Sequence, residues 1–270
     1  MQRIISFSLA ILSCAHVQSS FAQEPTVPVN RVSQTTRLSG EAHARRLNEQ
    51  GVQLLLDENA AEGLKKFEEA RALNPKNTAI LYNLAGLLIT QGQTSKAVQV
   101  MDEAVKLDSD DPTLLNRLGE AYFLNGDIKG AISVFERLSV QDPNMDETLF
   151  RLGTLYGLDE RFDESAKTLR RALQLNGDDR RIRISLASIL LEQKKYDEAL
   201  PLLEQAHQRE KCPYTASLLA HTYQARGDLN TANQYYREAE QLGSSDPFVV
   251  EHLTYLRKVL TGATQPTGYK

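Results

Sequence analysis

The chain has 270 residues and a formal net charge of −4, with 31 basic and 35 acidic side chains interspersed along its length. Proteins that bind nucleic acid through its phosphates typically carry a basic stripe, and this sequence has none. With 41% apolar residues and no Trp, the chain can form a packed core, and its abundant Leu, Ala, Glu, Gln and Arg favour helix.

The first 22 residues differ in character from all that follows. Arg3 supplies a positive charge, residues 4–15 form an apolar run, and Ser20 and Ala22 place small residues before Gln23. This order of charge, apolar run and small residues is typical of a secretory signal peptide that is cleaved before Gln23. The sequence therefore predicts export, either to the periplasm or out of the cell.

An alternative interpretation of the same segment centres on Cys14. The run Ile11-Leu12-Ser13-Cys14 is similar to a bacterial lipobox, in which the cysteine is lipidated and becomes the mature N-terminus. Leu12 departs from the pattern, because a small residue is more usual there. In this alternative the protein is an outer-membrane lipoprotein, and lipidation is its one link to a membrane.

Residues 23–40 are rich in Pro, Ser and Thr and contain few large apolar side chains. Such a composition is typical of a flexible linker. We therefore expect folded structure to begin near residue 41.

One pattern recurs six times between residues 41 and 245. The repeats are predicted to start near residues 44, 78, 112, 146, 180 and 213. Each has a small residue at the same position, at intervals of 34, 34, 34, 34 and 33 residues: Gly51, Ala85, Gly119, Gly153, Ala187 and Ala220. A fixed period of this length predicts stacked supersecondary units, whose usual product is a binding surface.

Each repeat divides into two helices. In the third, Leu115, Leu118, Gly119 and Tyr122 fall on one helical face, and residues 125–127 (Asn-Gly-Asp) then break the helix. A second apolar stripe follows at Ala131, Phe135 and Leu138. No segment alternates as a strand does, so the predicted fold class is all-α.

This arrangement of small, aromatic and Ala positions resembles the tetratricopeptide repeat (TPR), and the resemblance covers about 200 of the 270 residues. It implies a right-handed superhelical solenoid of six helix-turn-helix repeats. Departures include Gly63 and Ser165 at packing Ala positions and Arg183 at a leading apolar position. An apolar stripe in residues 246–261 predicts a C-terminal capping helix, and residues 262–270 are expected to form a disordered tail.

The sequence shows no catalytic or cofactor motif. The histidines are dispersed, so no metal site is predicted, and Cys212 is expected to be a structural thiol. Two acidic runs, 109–111 and 177–179, lie at repeat boundaries where Asp readily caps the next helix. The tripeptide Arg226-Gly227-Asp228 occupies the repeat's turn position and is interpreted as a turn.

The resemblance also implies a concave groove lined by the first helix of each repeat. Transferring the inward positions of the family onto this sequence gives a peptide-binding groove at Tyr82, Asn83, Asn116, Arg117, Glu120, Phe123, Phe150, Arg151, Ile184 and His221. The aromatic residues would supply apolar contact, the Asn side chains would bond a peptide backbone, and Arg117 and Arg151 would take a carboxylate.

A subclass of the family grips a C-terminal carboxylate with Lys, Asn, Asn, Lys and Arg. The corresponding positions here hold Asn48, Val52, Asn83, Thr113 and Arg117, so both lysines are absent and a co-chaperone role is disfavoured. We expect instead an exported, non-enzymatic bacterial scaffold that binds a protein or peptide. The alternatives are a lipoprotein assisting pilus, secretin or envelope complex assembly, and a self-assembling homo-oligomer.

Overall fold

The computed structural model describes residues 40–244, which form twelve helices in two compact units and, within that range, no strand. The amino-terminal unit ends at Pro143 and contains α1 (Gly40–Leu56), α2 (Ala60–Leu73), α3 (Thr78–Thr90), α4 (Thr94–Leu107), α5 (Pro112–Leu124) and α6 (Ile128–Gln141). The carboxy-terminal unit begins at Asn144 and contains α7 (Asp146–Leu158), α8 (Phe162–Leu175), α9 (Arg180–Glu192), α10 (Tyr196–Arg209), α11 (Pro213–Ala225) and α12 (Leu229–Gln241). No helix of the described range is long and apolar enough to cross a bilayer.

The predicted all-α fold of paired helices is confirmed. In each unit, odd-numbered helices pack against the even-numbered helix that follows them, and successive pairs stack. The predicted signal peptide with Cys14, most of the linker, the capping helix at 246–261 and the tail at 262–270 lie outside the described residues.

The turn inside each pair repeats one backbone conformation. At the end of α5, Gly126 takes a φ of +81°, and the N–H of Asp127 donates to the carbonyl of Tyr122. Glycine suits this left-handed position because it has no Cβ. One repeat later Glu160 holds the same conformation with a φ of +60°.

The small residue of the repeat lies where two helices of a pair approach most closely. A Cβ added to Gly119 in α5 would stand 2.6 Å from the ring of Phe135 in α6. A Cβ at Gly153 would likewise stand 2.7 Å from Leu169. These contacts explain the period of the small residues, since a larger side chain would force the helix pair apart.

Each unit has its own apolar core. In the carboxy-terminal unit a continuous cluster of buried side chains runs from Leu149 to Leu219 through α7, α8, α9, α10 and α11. In the amino-terminal unit, Phe67, Met101 and Phe135 are fully or almost fully buried on the second helices. Burial of these side chains supplies the main stabilisation of a repeat.

The acidic runs at the repeat boundaries cap helices, as predicted. Asp111 accepts hydrogen bonds from the N–H groups of Thr113 and Leu114, and Asp179 accepts them from Arg181 and Ile182. At the interpreted turn, Gly227 takes a φ of +86° and Asp228 caps α12. All three sites are therefore accounted for by local backbone structure.

Candidate protein-binding faces on the first helices

In the amino-terminal unit the first helices contact one another in succession, α1 with α3 and α3 with α5. The surface that they share is here called the amino-terminal face. Two hydrogen bonds join successive helices across it. Asn83 donates through Nδ2 to Oδ1 of Asn48 at 3.0 Å, and Arg117 donates through Nη2 to the Tyr82 hydroxyl at 2.7 Å. Side chains one repeat apart therefore face the same surface.

Arg117 is held on three sides. Its guanidinium carbon lies 4.4 Å from the centroid of the Tyr82 ring, and its Nη1 donates to Glu120 at 2.9 Å. Together with the bond from its Nη2 to the Tyr82 hydroxyl, these contacts hold the Arg117 side chain across α3. Glu120 neutralises this arginine, and only 12% of the Arg117 side chain remains exposed.

The other predicted residues of this face differ in exposure. Asn83 and Glu120 are buried, whereas Tyr82, Asn116 and Phe123 are half-buried and retain accessible surface. The half-buried residues are the ones able to contact a partner. This surface mixes aromatic and amide side chains, as expected for a protein-binding site.

The first helices of the carboxy-terminal unit, α7, α9 and α11, form the carboxy-terminal face. Here Glu147 accepts from Nε of Arg151 through Oε1 and from Nη2 of Arg181 through Oε2, both at 2.9 Å. The first of these contacts lies within α7, and the second joins α7 to α9. One carboxylate is therefore held between two guanidinium groups.

A second carboxylate and an aromatic ring fix the position of Arg181. Asp179 accepts from Arg181 Nη2 at 2.8 Å, and the guanidinium carbon lies 5.0 Å from the centroid of the Phe150 ring. Burial acts to raise the pKa of Asp179, but hydrogen bonds from Arg181 and from the backbone lower it overall. The hydrogen bond to Asp179 also raises the pKa of Arg181, against the effect of burial.

The structure corrects the sequence analysis at Phe150 and Ile184. Both were expected to contact a ligand, but both belong to the buried core cluster, with exposed fractions of 5% and 4%. Packing between α7, α8 and α9 covers these side chains, and Arg181 lies over the ring of Phe150. The family register predicts the direction of a side chain but not its exposure.

The predicted His221 is half-buried on α11. Ser188 in α9 and Tyr214 in α11, the helix that carries His221, have their hydroxyl oxygens 3.5 Å apart. Ser188 is buried and Tyr214 is half-buried, so of these two hydroxyl groups the one that a partner could contact belongs to Tyr214. The structure brings Arg151 and His221 to first helices of the same unit, α7 and α11.

The sequence analysis missed Glu147 and Arg181 as members of this face. The signal was present, since the two lie one repeat apart and carry opposite charges. The inward positions of the family are defined one at a time, so they do not indicate which positions pair between repeats. Opposite charges at the same repeat position predict an ion pair between neighbouring helices.

Cys212 is a buried thiol that accepts a hydrogen bond from Arg180 at 2.9 Å. Its burial fits the predicted structural role. Within residues 40–244, no group of three or more His, Cys, Asp and Glu side chains could hold a metal ion.

Family models place this architecture among known proteins. The model described as tetratricopeptide repeat matches residues 54–116 and 90–156, and the model described as anaphase-promoting complex, cyclosome, subunit 3 matches residues 124–206. These matches, which together run from residue 54 to residue 206, place the chain in the tetratricopeptide repeat family. The TPR fold is generally a non-enzymatic protein-interaction module.

Several solved structures share the fold of this TPR chain. PilF of Pseudomonas aeruginosa has a TM-score of 0.63 at 17% identity over 81% of this chain and 98% of that chain. YrrB, described as a TPR protein with an unusual peptide-binding site, has a TM-score of 0.60 at 22% identity over 70% and 97%. MamA of Desulfovibrio magneticus RS-1 has a TM-score of 0.59 at 19% identity over 62% and 95%.

At these identities the likeness establishes the TPR fold alone. A comparison with curated protein sequences gave no match. The two faces of the TPR chain therefore have to be interpreted from their own residues.

Proposed function

We propose that the chain is an exported, non-enzymatic scaffold that binds a protein or peptide segment on the faces formed by its first helices. The partner is a polypeptide, and no cofactor takes part. Export rests on the signal-like order of Arg3, the apolar run and the small residues before Gln23.

The observation that carries this proposal is the pair of hydrogen bonds between successive first helices. The buried Asn83–Asn48 bond and the Arg117–Tyr82 bond each join residues 35 positions apart, so they fix successive first helices side by side. The half-buried Tyr82, Asn116 and Phe123 then form the surface that a partner can contact. An extended or helical segment can contact several repeats at once on such a surface. Many modest contacts then sum to a useful affinity.

The comparisons support the same proposal at the level of the fold. Proteins with this fold bind other proteins or peptides, and YrrB is described as having a peptide-binding site. The half-buried Asn116 and Phe123 are suited to such a role, because each combines accessible surface with a fixed position on α5.

Site-specific photo-crosslinking tests the proposal. A photoreactive phenylalanine is placed at Asn116 or Phe123 on the amino-terminal face, and at Ser217 or Gln224 on the carboxy-terminal face. The full chain is expressed in its own host and irradiated. We expect discrete crosslinked products from at least one of these first-helix positions.

Matched positions on the second helices serve as controls. Gln99 in α4 and Ser133 in α6 are exposed, as are Lys167 in α8 and Arg237 in α12. These positions should give little crosslinking. Equal or stronger products from the second helices would place the partner on the opposite surface and overturn the proposal.

Intact mass of the purified mature protein tests export and its mode. We expect a chain that begins at Gln23, because small residues precede the predicted cleavage site. A mass corresponding to a chain that begins at a diacyl-glyceryl Cys14 would contradict cleavage before Gln23 and support the lipoprotein alternative. Recovery of the unprocessed chain, which still begins at Met1, from cells fractionated under native conditions would contradict export.

A further inference from the structure

A groove with a volume of about 490 Å³ lies between α8 and α10, two second helices of the carboxy-terminal unit. This volume is in the range of about 300–1,000 Å³ that is common for ligand pockets. Leu173, Pro201 and Leu202 give the groove an apolar surface that is partly accessible, and the buried Leu186 and Leu190 of α9 also line it. The remaining lining side chains are polar: Arg170, Gln174, Glu198 and Gln205.

The corresponding groove one repeat later, between α10 and α12, contains tyrosine side chains. Tyr223 in α11 and Tyr235 in α12 stack there, with ring centroids 5.6 Å apart and an angle of 10° between the ring planes. The Tyr223 hydroxyl donates to Glu204 in α10 at 2.8 Å. In the α8–α10 groove the repeat places leucine at both tyrosine positions, Leu190 and Leu202. Two aromatic rings are therefore replaced by smaller side chains.

The third repeat has the same tyrosine and carboxylate as the sixth. The Tyr122 hydroxyl in α5 donates to Asp102 in α4 at 3.0 Å. Tyr122 lies three residues after the small residue of its repeat, which is the position of Leu190 in the fifth repeat. Asp102 and Glu204 correspond in the same way to Arg170. The α8–α10 groove therefore carries a leucine in place of the phenol and a guanidinium in place of the carboxylate.

The charged side chains of the groove suit an aromatic ring with a hydroxyl group. Nη2 of Arg170 donates to Glu198 at 2.7 Å, and the two side chains remain 42% and 54% exposed. In at least three other places in the described chain, a guanidinium carbon lies within 5.0 Å of an aromatic ring centroid. Arg170 can make the same contact with a ring that enters the groove. Glu198 can accept a hydrogen bond from a phenol, as Glu204 does.

Pro201 indicates independently that this surface does more than pack the repeat. It lies inside α10, where proline removes a backbone donor and destabilises the helix, and its side chain is exposed. The equivalent residues of four other repeats are polar: Gln99, Ser133, Lys167 and Gln234. Residues that break a local rule without a packing reason are expected at functional sites.

We propose that the α8–α10 groove binds a tyrosine side chain of a protein partner, where the chain's own tyrosines lie one repeat later. The ring lies on Leu173, Pro201 and Leu202. The Arg170 guanidinium contacts the ring, and the hydroxyl donates to Glu198. Every tyrosine of the described residues is buried or half-buried, which favours a different protein over a second copy of this chain. The site lies on the second helices and goes beyond the proposed function of the first helices.

A titration of the full chain with three peptides tests the proposal. They are acetyl-Gly-Tyr-Gly-amide and its Phe and Leu counterparts. Binding is followed by the methyl resonances of Leu173 and Leu202 in protein with ¹³C-labelled leucine methyls, because a nearby aromatic ring shifts them. The tyrosine peptide should shift both, with half-saturation on the order of millimolar. The Phe peptide should bind about two- to tenfold more weakly and the Leu peptide at least about tenfold more weakly.

Filling the groove with a tyrosine of the chain itself should block the site. Leu202→Tyr introduces the residue type that Tyr235 supplies one repeat later, and it should weaken binding of the tyrosine peptide at least about tenfold. Arg237→Tyr is the matched control, because position 237 is an exposed second-helix position that does not line the groove. It should bind like the wild type. Arg170→Gln leaves the groove open and should weaken binding about two- to fivefold.

The proposal is wrong if the tyrosine peptide shifts neither leucine at concentrations on the order of tens of millimolar. Binding that survives Leu202→Tyr in a chain with the wild-type circular dichroism would also overturn it. If Leu202→Tyr does not fold, unchanged affinity in Arg170→Gln has the same meaning. Dimerisation by light scattering that Leu202→Tyr removes would make the occupant a second copy and contradict the choice of partner.

The groove and the first-helix faces are tested separately. None of the second-helix positions used as crosslinking controls lines the groove. Failure of the peptide titration therefore leaves the crosslinking result intact, and failure of first-helix crosslinking leaves the titration intact.

Discussion

Arg183 occupies the repeat position that Leu81, Leu115 and Leu149 fill in the three preceding repeats. It is 6% exposed, its Nη2 donates to the carbonyl of Gly177, and its Nε and Nη1 have no hydrogen-bond partner among the described residues. Burial, together with the nearby Arg209, lowers the pKa of this guanidinium. A buried cation with unsatisfied donors costs stability.

We therefore expect Arg183→Leu to raise the free energy of unfolding by about 1–2 kcal/mol, since an apolar side chain of the repeat pattern replaces a poorly paired charge. Urea unfolding followed by circular dichroism measures the change. Arg183→Ala is the control, because it removes the charge but leaves a cavity and should gain less. A lower unfolding midpoint for Arg183→Leu would show that the bond to Gly177 outweighs the unsatisfied donors.

Tyr223 gives the protein a pH-dependent contribution to stability at alkaline pH. Its hydroxyl donates to Glu204 at 2.8 Å, and burial together with this carboxylate raises the pKa of Tyr223 to about 12. In the unfolded chain the phenol ionises near its ordinary pKa of about 10. The folded state therefore keeps a proton that the unfolded state has lost.

The stabilisation from Tyr223 is complete below pH 10 and is lost as the pH rises from about 10 to about 12. Urea midpoints of the wild type and Tyr223→Phe at pH 8, 10 and 11 test this. The difference in stability between wild type and variant should shift in favour of Tyr223→Phe as the pH rises. A difference that does not change with pH would contradict the raised pKa.

The sequence predicted which helix faces carry Arg117 and Arg151 but not what they bind. Both were expected to take a carboxylate from a ligand, which stays a prediction, and the structure shows each of them paired with a glutamate of its own helix, Glu120 or Glu147. A long side chain has several rotamers, and its choice depends on neighbours that only the folded repeats bring together. The period of the repeat therefore predicted the helix faces on which the two arginines lie, but it did not predict their ion pairs with glutamate.

At the scale of the helix pair, the small residue of each repeat and the bulky residue it faces act together. Gly119 faces Phe135, and the equivalent positions of the second repeat hold Ala85 and Met101. The sequence predicted this close approach because the small residues recur with the period. The sequence pattern could not predict that the residue opposite Phe135 has to be glycine, whereas the residue opposite Met101 can be alanine.

We expect Gly119→Ala to lower the free energy of unfolding by about 1–3 kcal/mol, because its Cβ would stand 2.6 Å from the Phe135 ring and the pair must separate. Adding Phe135→Met should recover part of this loss, as Met is flexible and the pair then matches Ala85 and Met101. The measurement is a double-mutant cycle by urea unfolding, with a coupling energy of about 1 kcal/mol. Strict additivity would show that the two positions do not interact in this way.

At the scale of the whole molecule, the period assigns most side chains either to packing or to a first-helix face. It identifies Asn116 and Phe123 as candidate contact residues, and the structure finds both half-buried. It also assigned Phe150 and Ile184 to the binding surface, where the structure instead finds them in the core. Exposure depends on how closely neighbouring helices pack, which a register taken from one sequence does not contain.

The central claim is that the first helices bind the partner. Once crosslinking has identified that partner, fluorescence titration of the purified pair measures the affinity of two double variants. Asn116→Ala with Phe123→Ala, on α5, should weaken binding at least about tenfold, since both contact residues are lost. Gln99→Ala with Ser133→Ala, on the second helices, should leave it unchanged. If the second-helix variant loses affinity and the α5 variant does not, the first helices are not the binding surface.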